Sequence, residues 1–298
     1  MKKYIAIVLA VFGFSTCAWA QSVVPVIWPF SINVLDVQVI QKLLDSANSQ
    51  QTKYKFIFVN KPGAGGTVAA SEVLNSQQVS VLINTASMYT RPLLYADSHH
   101  PEQFSMINTL CLNSPLVVYS KRYRSLHDAN GKEITVGVNA GAVTQVLTKT
   151  ISKHNPGINL VEIPYKGTAA ASLDMLGGQI DASVGWLPEH KRMDKDTNIV
   201  GMTGTNNFGK GLTFGQQGVR GTDNMLNSIY IFTKSTLPDS TKQELSRIFY
   251  KAMRTEPVQA SCRADYGQVV ETPYSQLEYL HHSQMVLWAR FTQGMPRL

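Results

Sequence analysis

Short apolar runs rich in β-branched and aromatic residues alternate with stretches of helical periodicity along this chain, and that alternation constrains the fold more than any other feature. Val23 to Trp28 reads as a strand, and from Asp36 to Ser49 the residues Val37, Ile40, Leu43, Leu44 and Ala47 share one helical face. Tyr54 to Val59 is the next strand. A glycine-rich turn then leads into a helix through about Leu74, and Val79 to Asn84 is a third strand. The rhythm returns with a strand at Ile134 to Val138, a helix at Val143 to His154 and a strand at Asn159 to Ile163. A helix at Thr168 to Leu176 follows, ended by Gly177-Gly178, residues that tolerate a left-handed cap. Ile180 to Val184 and Asn198 to Met202 complete the series. Strands that alternate with helices predict an α/β chain with parallel, doubly wound sheets.

After Gly201 the rhythm breaks. Residues 201–221 hold many glycines and few large apolar side chains, so this stretch is predicted to be mostly loop. Ser228 to Thr233 reads as a buried strand, Pro238 opens a helix through Leu245, Ile248, Phe249 and Ala252, and a last helix runs from about Pro273 to Phe291. No internal repeat, low-complexity tract or disordered linker interrupts the chain.

The first residues address the compartment. Lys2 and Lys3 precede a short apolar core from Tyr4 to Phe14, and Ala18-Trp19-Ala20 supplies the small residues a signal peptidase reads. Residues 1–20 are therefore expected to be a cleaved signal peptide that leaves an exported, periplasmic, soluble protein. The run is too short for a permanent span, which needs roughly 20 apolar residues. A lipid anchor on Cys17 is disfavoured, because Thr16 stands where a lipobox wants Gly or Ala. Cleavage would leave Cys111 and Cys262, which in an oxidising compartment can form one disulfide or remain as two buried thiols.

The formal charge of the full chain is +7, and two of those positive charges leave with the signal. Lys121, Arg122 and Arg124 make the only tight basic cluster, and no basic stripe interleaved with aromatics suggests a nucleic-acid partner. A mildly positive surface does favour anionic ligands through its long-range field.

Two stretches carry a family resemblance. Asn60-Lys61-Pro62-Gly63-Ala64-Gly65-Gly66-Thr67 resembles the glycine-rich signature of the tripartite tricarboxylate transporter receptors, also called the Bug family. Pro164-Tyr165-Lys166-Gly167-Thr168, followed by Leu176-Gly177-Gly178-Gln179-Ile180-Asp181, resembles that family's second signature. Asn84 to Ser87 and Val136 to Gly141 sit where its other strand-end loops fall. The resemblance covers nearly the whole mature chain. It implies a two-lobed periplasmic binding-protein fold of type 2, with a ligand cleft between the lobes. Lobe one would hold 21–114 plus 229–298, and lobe two would hold 115–228.

Glycine-rich turns let backbone N–H groups approach an anion, and helix N-termini add a partial positive charge. Pro62 to Gly66 supplies one such turn, with Asn139 to Thr144 and Lys166 to Thr168 opposite. Hydroxyls at Thr85, Ser87, Thr144 and Thr168 can both donate and accept. The expected ligand-binding set is Phe30, Ser31, Asn33, Asp36, Gly65, Gly66, Thr85, Ser87, Asn139, Ala142, Thr144, Lys166, Gly167, Thr168 and Trp186. Arg91 and Lys166 are candidates to meet a second carboxylate, and Trp28 with Trp186 could wall a planar or apolar ligand.

Two departures from the family pattern stand out. Ser31-Ile32-Asn33-Val34-Leu35 replaces a run of glycines after Pro29-Phe30, which puts side chains where backbone would cradle a ligand. Gly185-Trp186 follows Val184 where relatives commonly carry an acid that could pair with a ligand ammonium, which argues against an amino-acid ligand. His99-His100 and His281-His282 are adjacent pairs that do not share a face, so no metal or cofactor is expected. No GxSxG elbow, P-loop or dinucleotide fingerprint is present. The expected function is a monomeric, non-enzymatic receptor that traps a small organic carboxylate and delivers it to membrane permease subunits. The alternatives are an orphan sensor signalling to a membrane partner and a hydrolase on the same scaffold.

Overall fold

A computed structural model describes residues 21–298 apart from 33, 130, 188, 190–192 and 265. The expected signal segment 1–20, Asn33 and the side chain of Asp36 lie outside the described residues. The chain runs β1 (Ser22–Trp28), α1 (Val34–Ser49), β2 (Tyr54–Asn60), α2 (Thr67–Asn75), β3 (Val81–Thr85) and α3 (Ser87–Leu94). It continues with β4 (Phe104–Ser120), β5 (Glu133–Asn139), α4 (Val143–His154), β6 (Asn159–Tyr165), α5 (Thr168–Leu176), β7 (Ala182–Trp186) and β8 (Asn198–Met202). After a long loop come β9 (Leu226–Lys234), α6 (Asp239–Met253), α7 (Glu256–Ala264) and α8 (Tyr274–Thr292).

The strands follow the order β2-β1-β3-β9-β4-β7-β5-β6, with β8 also paired to β4. The expectation of parallel sheets needs correction at the centre. β1 is parallel to β2 and β3, and β5 is parallel to β6 and β7, but β9 runs antiparallel to β3 and β4, and β4 antiparallel to β7 and β8. The physical reason is the crossing. β4 leaves the first half-sheet for the second and β9 returns, so two helix-covered parallel groups are joined through an antiparallel pair.

Three elements escaped the periodicity reading. β4 spans 17 residues and serves both half-sheets, with register shifts against β9 and Asn113 at φ 64°, so no single alternation persists along it. In α3, Ser87 to Arg91 are all buried and Pro92 sits inside the helix, which erases both the polar face and the usual composition. α7 carries Pro257 in its first turn and only two buried residues, Val258 and Cys262. At Gly177-Gly178 the left-handed residue is the second, Gly178, at φ 75°. Gln179 N–H then reaches the Asp174 carbonyl and Gly178 N–H the Met175 carbonyl, which closes α5.

One apolar core fills the space between the first half-sheet and α1, α6 and α7, with Val24, Ile40, Phe56, Leu245 and Phe249 at its centre. Cys111 of β4 and Cys262 of α7 are joined there as a disulfide, with Cα atoms 5.4 Å apart. A larger cluster packs the other face of the sheet and continues into the second half through Val118, Val136, Val146 and Leu147. A third, around Val117, Tyr119, Ala171 and Met175, lies under α5. The packing leaves the carboxyl ends of β1, β3, β5, β6 and β7 facing one another, the place where ligands bind in open α/β sheets.

Candidate functional site

A cavity of about 30 Å³ lies between these strand ends. From the first half-sheet come Trp28, Phe30 and Ser31 after β1, and Thr85 and Ser87 after β3. From the second come Asn139, Ala142, Val143 and Thr144 at the β5–α4 turn, Gly167, Thr168 and Ala169 at the β6–α5 turn, and Trp186 at the end of β7.

The first wall is tied to itself. Thr85 Oγ1 donates to Ser87 Oγ at 3.0 Å and accepts from the Ser87 backbone N–H at 3.2 Å, so of this pair the Ser87 hydroxyl keeps its hydrogen for the cavity. Trp28 is buried, meets Phe30 edge-on at 5.2 Å between ring centroids, and its Nε1 has no protein partner. Asn60 Nδ2 donates to the Phe30 carbonyl at 2.7 Å and to the Trp28 carbonyl at 3.2 Å, which fixes the path of the altered first loop.

The second wall is made mostly of helix starts. α4 begins after Ala142 and α5 after Gly167, and neither N-cap residue donates a side chain to the first turn. Their leading backbone N–H groups are thus directed at the cavity with the positive ends of two helix dipoles behind them. Thr144 Oγ1 accepts from the Asn139 N–H at 3.0 Å, which leaves its own hydrogen available. Asn139 Oδ1 is buried without a protein partner. Among the described residues every lining side chain is neutral.

Behind this wall sits a carboxylate. Glu189 Oε1 accepts from Thr168 Oγ1 at 2.7 Å, while Glu189 Oε2 accepts from the Trp186 N–H at 3.2 Å, with the Tyr119 hydroxyl 3.4 Å away. The carboxylate fits only because Gly185 has no side chain: a Cβ there would come within 2.1 Å of Glu189 Oε2. The missing acid after Val184 therefore does not leave this strand end without one, since Glu189 folds back onto it. Tyr119 also bonds Ser172 Oγ at 2.7 Å. Burial, reinforced by the Glu189 charge, raises the Tyr119 phenol far above its ordinary range, so it stays a donor.

Residues 40–195 match the family model described as the tripartite tricarboxylate transporter family receptor. The chain belongs to this receptor family. No curated protein matches the sequence. Among solved structures, the periplasmic binding protein BugD is similar to the receptor at 21% identity and a TM-score of 0.80, covering 93% of this chain and 99% of its own. A Rhodopseudomonas palustris protein with adipate is similar at 16% identity and a TM-score of 0.82, covering 94% and 100%. MatC from the same organism, solved with bound malate, is similar at 14% identity and 0.79, covering 91% and 99%. At these identities the likeness establishes the two-lobed periplasmic binding-protein fold.

Of the residues singled out in the receptor's sequence, Phe30, Ser31, Thr85, Ser87, Asn139, Ala142, Thr144, Gly167, Thr168 and Trp186 line the cavity together. Gly65 and Gly66 do not. They line a neighbouring space of about 20 Å³ with Asn84 and Arg91, because the Gly63–Gly66 turn is packed against the other lobe. A Cβ on Gly65 would meet the Ala140 carbonyl at 2.4 Å. Arg91 does not meet a second carboxylate in the cavity either. It is buried with Nη2 on Asp97 at 2.8 Å and Nη1 on the Ala140 carbonyl at 3.3 Å, and its guanidinium stacks 3.8 Å from the Tyr95 ring centroid. Lys166 is exposed and outside the lining. Asn33 and the Asp36 side chain, being outside the described residues, are not placed. The sequence reading missed Val143 and Ala169, which contribute through backbone position, and Glu189. Spacing offered no signal for Glu189, which acts through a fold-back rather than a motif.

Among the described residues no group of three His, Cys, Asp or Glu side chains could hold a metal, and no helix is long and apolar enough to cross a membrane. His281 is buried between the Tyr89 hydroxyl at 2.9 Å and the Pro101 carbonyl at 3.2 Å, and burial lowers its pKa.

Proposed function

We propose that the receptor captures a small organic carboxylate in this cavity, closes around it and hands it to a membrane permease. The observation that carries the reading is the pair of uncapped helix starts at Val143 and Thr168 facing the Ser87 hydroxyl across a cavity lined by neutral side chains. Convergent N–H and O–H donors can hold a carboxylate without a cation, and hydrogen bonds to a charged group contribute about 1.5–3 kcal/mol each. The cavity is too narrow for a four-carbon acid with the walls this close, so capture requires the lobes to part and close again by a hinge at the crossing strands. Lobe one would hold 21–114 plus 229–298 and lobe two 115–228, bounds supported by the passage of β4 and β9 between the half-sheets.

Several further parts of the reading rest on chemistry and sequence. Among the described lining residues no hydroxyl is paired with a histidine, and the carboxylate bonded to Thr168 is buried behind the wall, which supports binding without turnover. Lys2-Lys3, the apolar run and Ala18-Trp19-Ala20 support export with cleavage after Ala20. One chain supplies both walls, which supports a monomer.

The test is a thermal-shift and calorimetry screen of residues 21–298 against organic acids and neutral metabolites. Selective stabilisation by acids, near 2.7 kcal/mol at a ligand concentration about 100 times Kd, is expected. A response to neutral compounds alone, with silence from every acid, would overturn the carboxylate reading.

A further inference from the structure

We infer that Glu189 sets which carboxylates the cavity accepts: by taking the Thr168 hydroxyl hydrogen, it makes the second wall a reader of a hydrogen-bond donor on the ligand, a hydroxyl or ammonium substituent. This rests on the carboxylate reading above and adds the substituent that the acid must carry.

A threonine hydroxyl has one hydrogen and two lone pairs, and an ionised carboxylate can only accept. At 2.7 Å from Glu189 Oε1, the Thr168 hydrogen is committed to the carboxylate. Thr168 lines the cavity, so what it offers there is lone-pair density. The polarity is locked from behind. The Trp186 N–H donates to Oε2 at 3.2 Å, so the carboxylate is oriented by a backbone group independent of Thr168. Tyr119 is fully buried and bonded to Ser172, and Ser172 Oγ donates to the Thr168 carbonyl at 2.8 Å, so the same network holds the threonine backbone. Asn139 Oδ1, buried without a partner at the same wall, is a second acceptor. The cavity is thus divided: helix N–H groups and Ser87 suit the carboxylate, and Thr168 suits a donor attached near it. Glu189 is a positioning residue, because it acts through Thr168.

The network also predicts what an amide would do. In Glu189→Gln the Trp186 N–H donor at Oε2 favours the amide oxygen there, which turns the amide NH2 toward Thr168. The Thr168 hydroxyl would then accept from the amide and point its hydrogen into the cavity. A ligand hydroxyl tolerates that reversal, since it can accept as well as donate, whereas an ammonium cannot.

The experiment measures binding of succinate, L-malate and L-aspartate, and of propionate, L-lactate and L-alanine, to residues 21–298. Within each skeleton only one substituent changes. The wild-type protein is expected to bind the hydroxyl and ammonium forms at least tenfold tighter than the unsubstituted acid in one or both series, because a site built around a donor leaves its acceptor unpaired when the donor is missing. Glu189→Gln should keep the hydroxyl acid within about threefold and weaken the ammonium acid at least tenfold. Thr168→Val should abolish the discrimination, and Thr168→Ser should restore it. A purely structural role would weaken all three substituents equally and leave their ratios unchanged. Equal affinities across a series, or a preference for acids lacking any donor substituent, would overturn this inference and leave the carboxylate reading intact. Failure of these six and of every other acid in the screen would overturn both.

Discussion

The two walls of the cavity are built on opposite principles. The first is a side-chain wall: Trp28, Phe30, Ser31, Thr85 and Ser87 present rings and hydroxyls, and Thr85 is engaged by its neighbour. The second is largely a backbone wall, in which the starts of α4 and α5 direct N–H groups inward and the decisive carboxylate stays one layer back. A side-chain wall can change its preference by substitution. A backbone wall keeps its preference for anions as long as the helices start where they do. Ser31, the first residue to stand in place of the glycine run, lies on the first wall, so this departure reaches a ligand through that wall and not through the helix starts opposite.

The glycine signatures divide the same way. A Cβ on Gly167 would approach Ser31 Oγ at 2.8 Å across the cavity, whereas one on Gly65, at φ 57°, would meet the Ala140 carbonyl and Arg91. Glycine marks a close approach without stating what approaches.

The contrast can be broken most forcefully through the support of the first wall. Loss of the Cys111–Cys262 bond, which closes a separation of 151 residues, should cost about 2–5 kcal/mol of stability. Urea unfolding of Cys262→Ala should show it. Acid affinity below the transition should change little, because the second wall is far from the bond in the chain.

A direct attack on the backbone wall is Val143→Pro. The position is the first of α4, and Ala142 before it is extended at ψ 170°, so proline fits the turn and removes one cavity-facing N–H. Acid affinity should fall by about 1.5–3 kcal/mol by calorimetry, with helix content retained by circular dichroism. An unchanged affinity would mean that the helix starts do not carry the anion.

Gly65→Ala tests whether the first glycine turn serves closure. Its backbone is left-handed and its Cβ would collide with the opposite lobe, so a cost of about 1–3 kcal/mol is expected. That cost should appear as a more open molecule in small-angle scattering, with a proportional loss of affinity for every acid. The smallest effect belongs to Ser87→Ala, which removes one hydroxyl from the first wall and should weaken acids by about 0.5–1.5 kcal/mol. If it exceeded the Val143→Pro effect, the assignment of the carboxylate to the second wall would be reversed.

Much of this was legible in the sequence because local patterns carry it. Strand–helix alternation placed β1, β2, β3, β5, β6 and β7 and the helices α1, α2, α4 and α5 within a few residues. What escaped was non-local. β4 lacks a single period because two half-sheets share it, and α3 lacks an amphipathic stripe because it is buried from Ser87 to Arg91. The cavity residues were found where a strand end and a helix start coincide in sequence. At Gly65 and Gly66 the same local signal accompanies a close approach to Ala140 and a neighbouring space rather than this cavity.

By itself the sequence determined the α/β class, the strand-end loops and the family, since these depend on periodicity and on short motifs whose chemistry is local. Only the tertiary structure decided that β4 and β9 cross antiparallel, that Arg91 is committed to Asp97 and Ala140, and that Glu189 stands behind Thr168. Each of these depends on which distant segments meet, and the spacing of residues along a chain does not record that.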